Sequence, residues 1–330
     1  KRPKSRAFCF KITVVMKFSM HPIKKIASLT AFLAICSTWC GSSVAAAYSP
    51  PENARVKYNF NYDWKFLKDN PIGAEAVAYD DTAWSTVSCP HTFNDSDTFD
   101  DYIEGNHMGE SEQWRGTVWY RKHFKLPADD VNKKIFIEFE SVRQIADVYV
   151  NGVHLGTNKT GFIPFGYDIT KYVKFGSGEN IIAVRVNNDR DDDFQNNTIP
   201  WNHEHWHPVH GGIYRNVFLH AVDKLHVTLP LYDNLETVGT YVYASSVSAS
   251  SADVTAEAEV QNSYDSAQTV FYEAQIVDND GKVVQTITDN AILQRGAKHI
   301  FSGTATLVNP NLWFTRHPYL YTVHTIIRSG

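Results

Sequence analysis

The chain has few cysteines, and most of them lie near its start. Of four cysteines, Cys9, Cys36 and Cys40 fall within the first 47 residues, and only Cys89 comes later. The rest of the chain therefore has no second thiol for an intrachain disulfide and must be stabilised by packing. A lone cysteine beside Pro90 is most often a small buried apolar residue, and we interpret Cys89 in that way rather than as a reactive thiol.

Long hydrophobic runs are also missing. The apolar run at 26–36 is too short to span a bilayer; it follows basic residues at 21–25 and precedes small residues at 45–47, which is typical of a secretory signal peptide. We therefore assign residues 1–47 to upstream sequence and a signal peptide, and predict export to the periplasm, the cell surface or the medium. Lipid attachment at Cys40 is less favoured, because signal cleavage prefers a small residue where Trp39 stands.

Basic charge is scarce once that segment is set aside. The first 47 residues contain no Asp or Glu, and the remainder has 23 Lys and Arg against 36 Asp and Glu, a formal charge of −13. Nucleic acid and anionic membranes both require a basic face, so neither is an expected partner beyond the signal segment. A hydrophobic content of 43% with 20% charged residues indicates folded globular domains.

Helical periodicity is absent as well. Apolar residues instead alternate with their neighbours at 135–139, 182–186, 217–221 and 254–260, which is the pattern of half-buried β-strands. Asn151 and Gly152 separate two short apolar runs, and this pair supplies the positive φ angles of a tight hairpin turn. The pattern predicts an all-β chain.

A change in composition near 222–225 divides this β pattern into two parts. Short strands separated by Gly, Pro and Asn are typical of sandwiches and barrels. We therefore predict a sandwich or barrel up to about residue 223. An immunoglobulin-like β-sandwich is predicted over 224–330.

The stretch 187–219 is rich in residues that could bind a ligand. Aromatic faces stack on flat apolar surfaces, while carboxylates and amides form directed hydrogen bonds, and a sugar presents both kinds of surface. The side chains concerned are Trp201, His203, Glu204, His205, Trp206 and His207. Alternate histidines on one strand face could also hold zinc. No Cys/His framework accompanies them, so we predict no metal.

Several segments together resemble glycoside hydrolase family 2, the group of β-galactosidases, β-glucuronidases and β-mannosidases. They follow the family's order through nearly all of the chain after the signal segment. The segments are 63–66 (DWKF), 79–87 (YDDTAWSTV), 90–94 (PHTFN), 115–124 (RGTVWYRKHF), 148–152 (VYVNG), 211–217 (GGIYRNV), 311–313 (NLW) and 318–321 (PYLY).

The resemblance implies that 48–223 is a jelly-roll, galactose-binding-like sugar-binding domain and that 224–330 is an immunoglobulin-like β-sandwich truncated at its end. In the family a TIM barrel that carries both catalytic glutamates follows. The resemblance identifies this chain as the non-catalytic N-terminal part of an exported, retaining, β-galactosidase-like hydrolase of carbohydrates, inactive by itself because the barrel is missing. No cofactor is expected. The expected partners are the sugar glycone and the protein's own barrel, and a homo-oligomer is left open. The alternatives are a stand-alone carbohydrate-binding module and a structural scaffold.

The resemblance also implies which loops of the first domain reach the sugar: those at 94–97, after the strand at 184–188 and before Gly211. The alternative is that these side chains pack between jelly roll and barrel. No catalytic residue is assigned. The candidate substrate-binding residues are Asn94, Asp95, Asn188, Asp189, Trp201, His203, Glu204, His205, Trp206 and His207.

Overall fold

The computed structural model describes the backbone of residues 10–16 together with residues 54–94, 114–188 and 210–330. These residues form eighteen strands and one 3₁₀ turn at Ala128–Asn132, so the prediction of an all-β chain is confirmed. Across the described ranges, no helix has the length and apolar character that crossing a membrane requires.

The strands are numbered in chain order. Their bounds are β1 Phe10–Met16, β2 Val56–Asn59, β3 Trp64–Leu67, β4 Ser85–Val87, β5 Thr117–Lys125, β6 Lys134–Phe139, β7 Ile145–Val150, β8 Val153–Asn158, β9 Phe165–Asp168, β10 Glu179–Asn187, β11 Val217–Val222, β12 Leu225–Val227, β13 Thr240–Ser245, β14 Ser251–Asn262, β15 Gln268–Val277, β16 Val283–Leu293, β17 Lys298–Val308 and β18 Tyr321–Ser329.

The first sandwich packs a six-stranded sheet, in the order β4-β3-β5-β10-β7-β8, against a four-stranded sheet, in the order β2-β11-β6-β9. Its core lies between the sheets because alternate residues of each strand point inward. Trp64 is fully buried and donates its indole hydrogen to the carbonyl of Phe60 at 2.8 Å. Phe139 stacks on Phe165 with ring centroids 5.1 Å apart. The hairpin predicted at Asn151 joins β7 to β8.

The second sandwich contains the sheet β1-β18-β15-β16 and a second sheet built on β14, which pairs with β12 and β13 on one side and β17 on the other. Tyr272 stacks on Phe301 at 5.6 Å between the sheets, and its hydroxyl donates to the carbonyl of Ala256 at 3.2 Å. The two architectures match the predicted jelly-roll and immunoglobulin-like sandwiches.

Strand β1 comes from the segment that the sequence analysis sets apart from the folded chain. It pairs in parallel with β18, in a register that runs from Phe10 opposite Tyr321 to Met16 opposite Ile327. Because β15 holds the other side of β18, β1 satisfies backbone groups that would otherwise form an open sheet edge.

The chain does not pass from the first sandwich to the second in a single step. By contacts, Leu225–Thr228 belongs to the second unit, whereas Leu229–Val238 returns to the first. We call 229–238 the strap. Leu229 and Leu231 pack with Phe136, and the side-chain amide of Asn234 binds both the N–H and the carbonyl of Gly166 in β9. The strap therefore covers the outer face of the four-stranded sheet.

Glu138 and His220 form a hydrogen-bonded pair on that same outer face, with 2.6 Å between Oε2 and Nε2. Burial acts to raise the pKa of Glu138, but the hydrogen bond from His220 and the charges of Lys57 and Arg55 outweigh it, so the pKa is lowered. Burial also lowers the pKa of His220, although Glu138 opposes that shift.

Both shifts should make the first sandwich less stable in acid. The unfolded chain binds a proton at His220 below about pH 6.5 and at Glu138 below about pH 4.3, before the folded protein binds either, so the free energy of unfolding falls as the pH falls. Urea unfolding of wild type and His220→Gln between about pH 8 and pH 5 measures this. The variant should lose less stability over that range, and parallel curves for the two proteins would contradict the assignment.

Candidate functional site

One end of the first sandwich gathers the segments that the sequence analysis connects with sugar binding. There β5 begins and β10 ends, with Thr117 opposite Asn187. We call this the loop end and define it by residues 91–94, 114–116, 140–144, 187–188 and 210–216. Both stretches outside the described ranges in this sandwich, 95–113 and 189–209, join the described chain here.

Two asparagines hold the loop end together. The Asn94 side chain accepts from the N–H of Gly211 at 2.9 Å and donates to the carbonyl of Trp114 at 2.9 Å. The Asn188 side chain accepts from the N–H of Gly116 at 3.0 Å and donates to Asn94 Oδ1 at 3.4 Å. Both asparagines are fully buried. A pair of buried amides thus connects four segments that are distant in sequence, and each amide satisfies backbone groups that strands do not pair.

Because Gly212 has no side chain, its backbone lies closer to the segment around His91 than any other residue type would allow. It has φ +127°, and a Cβ there would lie 2.5 Å from the carbonyl oxygen of His91 and 2.8 Å from the hydroxyl of Tyr120. Its backbone exchanges two hydrogen bonds with Arg143, at 2.7 and 2.9 Å. His91 Nδ1 in turn lies 2.8 Å from the Tyr120 hydroxyl. Glycine is therefore required sterically as well as conformationally.

An aromatic cluster supports the same turn. Phe93 lies directly over Gly211, where a Cβ would stand 2.0 Å from its Cζ atom. Trp114 meets the edge of Phe93 with centroids 5.3 Å apart. The ammonium group of Lys68 lies 4.7 Å from the centre of the Trp114 ring and donates to the carbonyl of Phe93 at 3.3 Å. The cluster fixes where the stretch after Asn94 begins.

The remainder of the 211–217 segment also has structural partners. The Tyr214 hydroxyl donates to the carbonyl of Gly161 at 2.6 Å. Asn216 donates to Glu140 at 2.7 Å and accepts from the side chain of Asn61 at 2.9 Å. Tyr214 thus ties this segment to the connection between β8 and β9, and Asn216 ties the ends of β6 and β2 to the start of β11.

The structure brings together only part of the predicted site. Asn94 and Asn188 meet, and because their amides bind backbone groups and each other, they position the loops. Direct sugar contact by these two remains a prediction. The other candidates lie outside the described residues: Asp95, Asp189, Trp201, His203, Glu204, His205, Trp206 and His207.

Sequence reasoning missed two buried polar residues beside the loop end. Gln144 is 1% exposed, and its side-chain amide has no hydrogen-bond partner within the described ranges; the same holds for the hydroxyl of Ser141, which is fully buried. Buried polar groups are normally paired. No signal in the sequence marks either residue, because they lie in a short connection without a turn or motif pattern.

Three acidic residues of the described ranges have pKa values shifted away from those of a general acid. A general acid needs a raised pKa, whereas the pKa values of Asp80, Asp81 and Glu138 are lowered by hydrogen bonds, in the latter two against the effect of burial. Within the ranges given above, no group of three or more His, Cys, Asp or Glu could hold a metal ion. The contacts of the described part of the loop end position the loops that continue from it.

Two family models match the chain. Residues 58–223 match the model described as "Glycosyl hydrolases family 2, sugar binding domain". Residues 237–330 match the model described as "Glycosyl hydrolases family 2". The loop end lies entirely within the first match.

Curated relatives extend the same likeness. A β-glucuronidase of Formosa agariphila is 62% identical over 277 residues, which cover 84% of this chain and 28% of that protein. A β-galactosidase of Thermoanaerobacter pseudethanolicus is 31% identical over 265 residues, which cover 80% of this chain and 32% of that protein. The chain thus spans less than a third of the length of these two relatives.

Solved structures agree with the relatives. A β-glucuronidase from glycoside hydrolase family 2 is 62% identical with a TM-score of 0.78, over 83% of this chain and 29% of that one. A Bacteroides uniformis β-glucuronidase 2, bound covalently to cyclophellitol-6-carboxylate aziridine, is 29% identical with a TM-score of 0.72, over 83% of this chain and 30% of that one.

Proposed function

Because the chain belongs to glycosyl hydrolase family 2, we propose that it is the N-terminal part of an exported, retaining glycosidase that removes β-glucuronic acid units from carbohydrate. In this role the first sandwich shapes the mouth of a catalytic barrel and helps to bind the non-reducing sugar. The two carboxyl groups of a retaining enzyme, about 5 Å apart, belong to that barrel. Export is inferred from the pattern of residues 1–47.

One observation carries the role in sugar binding. The buried pair Asn94–Asn188 brings the ends of 95–113 and 189–209 to one place, beside Gly211. The second of these stretches contains the aromatic and histidine side chains that suit a sugar. Joining both stretches at one end of a rigid sandwich favours a composite binding site over two unrelated surface loops.

We propose a glucuronide rather than a galactoside as the substrate because of the difference in sequence identity to two relatives. Identity with the Formosa β-glucuronidase is 62%, against 31% for the Thermoanaerobacter β-galactosidase. The sequence analysis named a β-galactosidase-like enzyme. Its motifs are shared by the whole family and do not distinguish the sugar. We replace that assignment with the glucuronide.

The test compares the 330-residue chain with the product of its complete gene, using p-nitrophenyl β-D-glucuronide and p-nitrophenyl β-D-galactoside. The chain alone should not turn over either compound, because the proposal assigns both catalytic carboxyl groups to the barrel. The complete protein should hydrolyse the glucuronide with a kcat/KM at least about tenfold higher, worth about 1.4 kcal/mol of transition-state binding. A preference for the galactoside would refute the choice of sugar. Turnover by the chain alone would refute the assignment of catalysis to the barrel.

A carbohydrate-binding module without catalysis is the remaining alternative. It requires that the complete protein be inactive on both compounds while the chain still binds a glucuronide. Isothermal titration of the chain with methyl β-D-glucuronide, before and after Trp206→Ala, distinguishes the two: a module should lose measurable binding in the variant, since stacking would then supply most of its affinity.

A further inference from the structure

The first sandwich has a cavity of about 450 Å³ at the end opposite the loop end. It opens between the edge strands β8 and β9, where Leu155 and Tyr167 lie, and the turn after β9 closes one side. Leu235 of the strap also lines it. Because residues of the turn, two edge strands and the strap all contribute, the cavity is part of the folded unit and not a groove between loose loops.

The charged groups in the cavity are unevenly balanced. Asp168 is already engaged: it pairs with Lys134 and accepts from the hydroxyl of Thr170 at 2.5 Å. Lys171 is different, since within the described ranges no carboxylate lies within ion-pair distance of its ammonium group, which sits 4.8 Å from the centre of the Tyr172 ring. Lys171 is thus an exposed cation in the lining of the cavity, and the described residues place no carboxylate against it.

A hydrogen-bond donor faces the same space. Burial, together with the nearby charges of Asp147 and Asp233, raises the pKa of Tyr167 to about 12, so the phenol keeps its proton at neutral pH. No acceptor for that proton is found among the described residues. The end of the Tyr167 ring packs against Gly156, where a Cβ would stand 3.1 Å from the hydroxyl. Tyr167 is therefore available to donate to a ligand.

We infer that this cavity binds one acidic saccharide unit, which carries either a carboxylate or a sulfate ester. The anionic group would meet Lys171, a ring hydroxyl would accept from Tyr167, and the CH face of the sugar would lie on Leu155 and the ring of Tyr172. Charge-assisted hydrogen bonds supply the preference for an anion, and the aromatic and aliphatic lining supplies the preference for a sugar over a bare ion. This site is independent of the proposed function.

Isothermal titration of the 330-residue chain tests the inference with four probes: methyl β-D-glucuronide, glucose 6-sulfate, methyl β-D-glucoside and inorganic sulfate. At least one of the two acidic sugars should bind about tenfold or more tightly than both the neutral glucoside and inorganic sulfate. The tighter acidic sugar identifies the anion as carboxylate or sulfate. Equal binding of the neutral glucoside would overturn the acidic class, and equal binding of inorganic sulfate would overturn the saccharide.

Variants locate the site. Lys171→Met and Tyr167→Phe should each weaken the acidic sugar, the former by about tenfold, since they remove the unmatched charge and the free donor. Lys174→Met is the matched control, because Lys174 lies in the same turn but directs its ammonium group to the carbonyl of Glu179. Unchanged thermal unfolding confirms that each variant is folded. Unaltered affinity in Lys171→Met, or an equal loss in Lys174→Met, would place the sugar elsewhere and overturn the inference.

Discussion

Replacing Asp81 by Ala should lower the free energy of unfolding of the first sandwich by about 3–5 kcal/mol, because it leaves a buried guanidinium without its anion. Arg121 is fully buried in β5 and donates from Nε to Asp81 Oδ2 at 2.7 Å. His123 Nε2 lies 2.9 Å from the same oxygen. The remaining partners of Arg121 are carbonyl groups, including that of Ala76 at 3.1 Å, which cannot neutralise its charge.

The measurement is urea unfolding at neutral pH, with Asp80→Ala as the matched control. Asp80 is the preceding residue, but it is exposed and binds only Thr82, so its loss should change stability little. If the two variants lose similar stability, the buried pair is not the determinant that we assign.

The buried Asp81–Arg121 pair also predicts an effect of pH on stability. The pKa of Asp81 is lowered, by Arg121 and His123 against the effect of burial, so its stabilising contribution is complete above about pH 4 and declines in stronger acid.

Gly212→Ala should also lower the free energy of unfolding of the first sandwich, by about 3 kcal/mol or more. The new Cβ would stand 2.5 Å from the carbonyl oxygen of His91, and a backbone atom cannot rotate away as a side chain can. The φ of +127° adds strain. Since Gly212 exchanges hydrogen bonds with Arg143, the substitution should also separate the segments that meet at the loop end.

Gly296→Ala is the control for Gly212→Ala. It has φ +74° and nothing within 4 Å of the added Cβ, so it carries backbone strain without a clash and should cost only about 1 kcal/mol. Urea unfolding of both variants separates the two contributions, and equal losses would show that strain alone explains the glycine. Under the proposed function, Gly212→Ala should raise KM for the sugar more than it lowers kcat, because that proposal assigns sugar binding to the loop end and the catalytic carboxyl groups to the barrel.

Several features were predictable because they depend on neighbours in sequence. Alternation at 135–139 identified the inward face of β6, and the pair Asn151–Gly152 takes the predicted positive φ angles of 49° and 82°. Trp64, Trp84 and Trp119 are large apolar residues in or beside strand-like segments, and their exposures of 0, 7 and 3% place them in the interior. Cys89 is buried, and burial raises its pKa to about 12, which agrees with an inert thiol.

Other features depend on pairs that no local pattern identifies. Asp81 and Arg121 are forty positions apart and Asn94 and Asn188 ninety-four, so nothing in the sequence marks them as partners. Asn94 and Asn188 were chosen as sugar ligands because the family resemblance places their loops at the sugar. In the fold their amides bind backbone groups and each other, and direct sugar contact stays a prediction. The cavity beside Tyr167 was missed for the same reason, since its lining comes from strands and turns far apart in the chain.

The strap bears on any attempt to cut this protein into parts. A fragment that stops at residue 223 would lack Leu229 and Leu231 and would expose the apolar patch around Phe136 to water, which favours precipitation. Conversely, cleavage by a protease between Lys224 and Leu225 would not separate the chain before the cut from the chain after it, because Asn234 in the strap would still be hydrogen-bonded to Gly166. Recombinant pieces of the sugar-binding half should therefore extend through Val238.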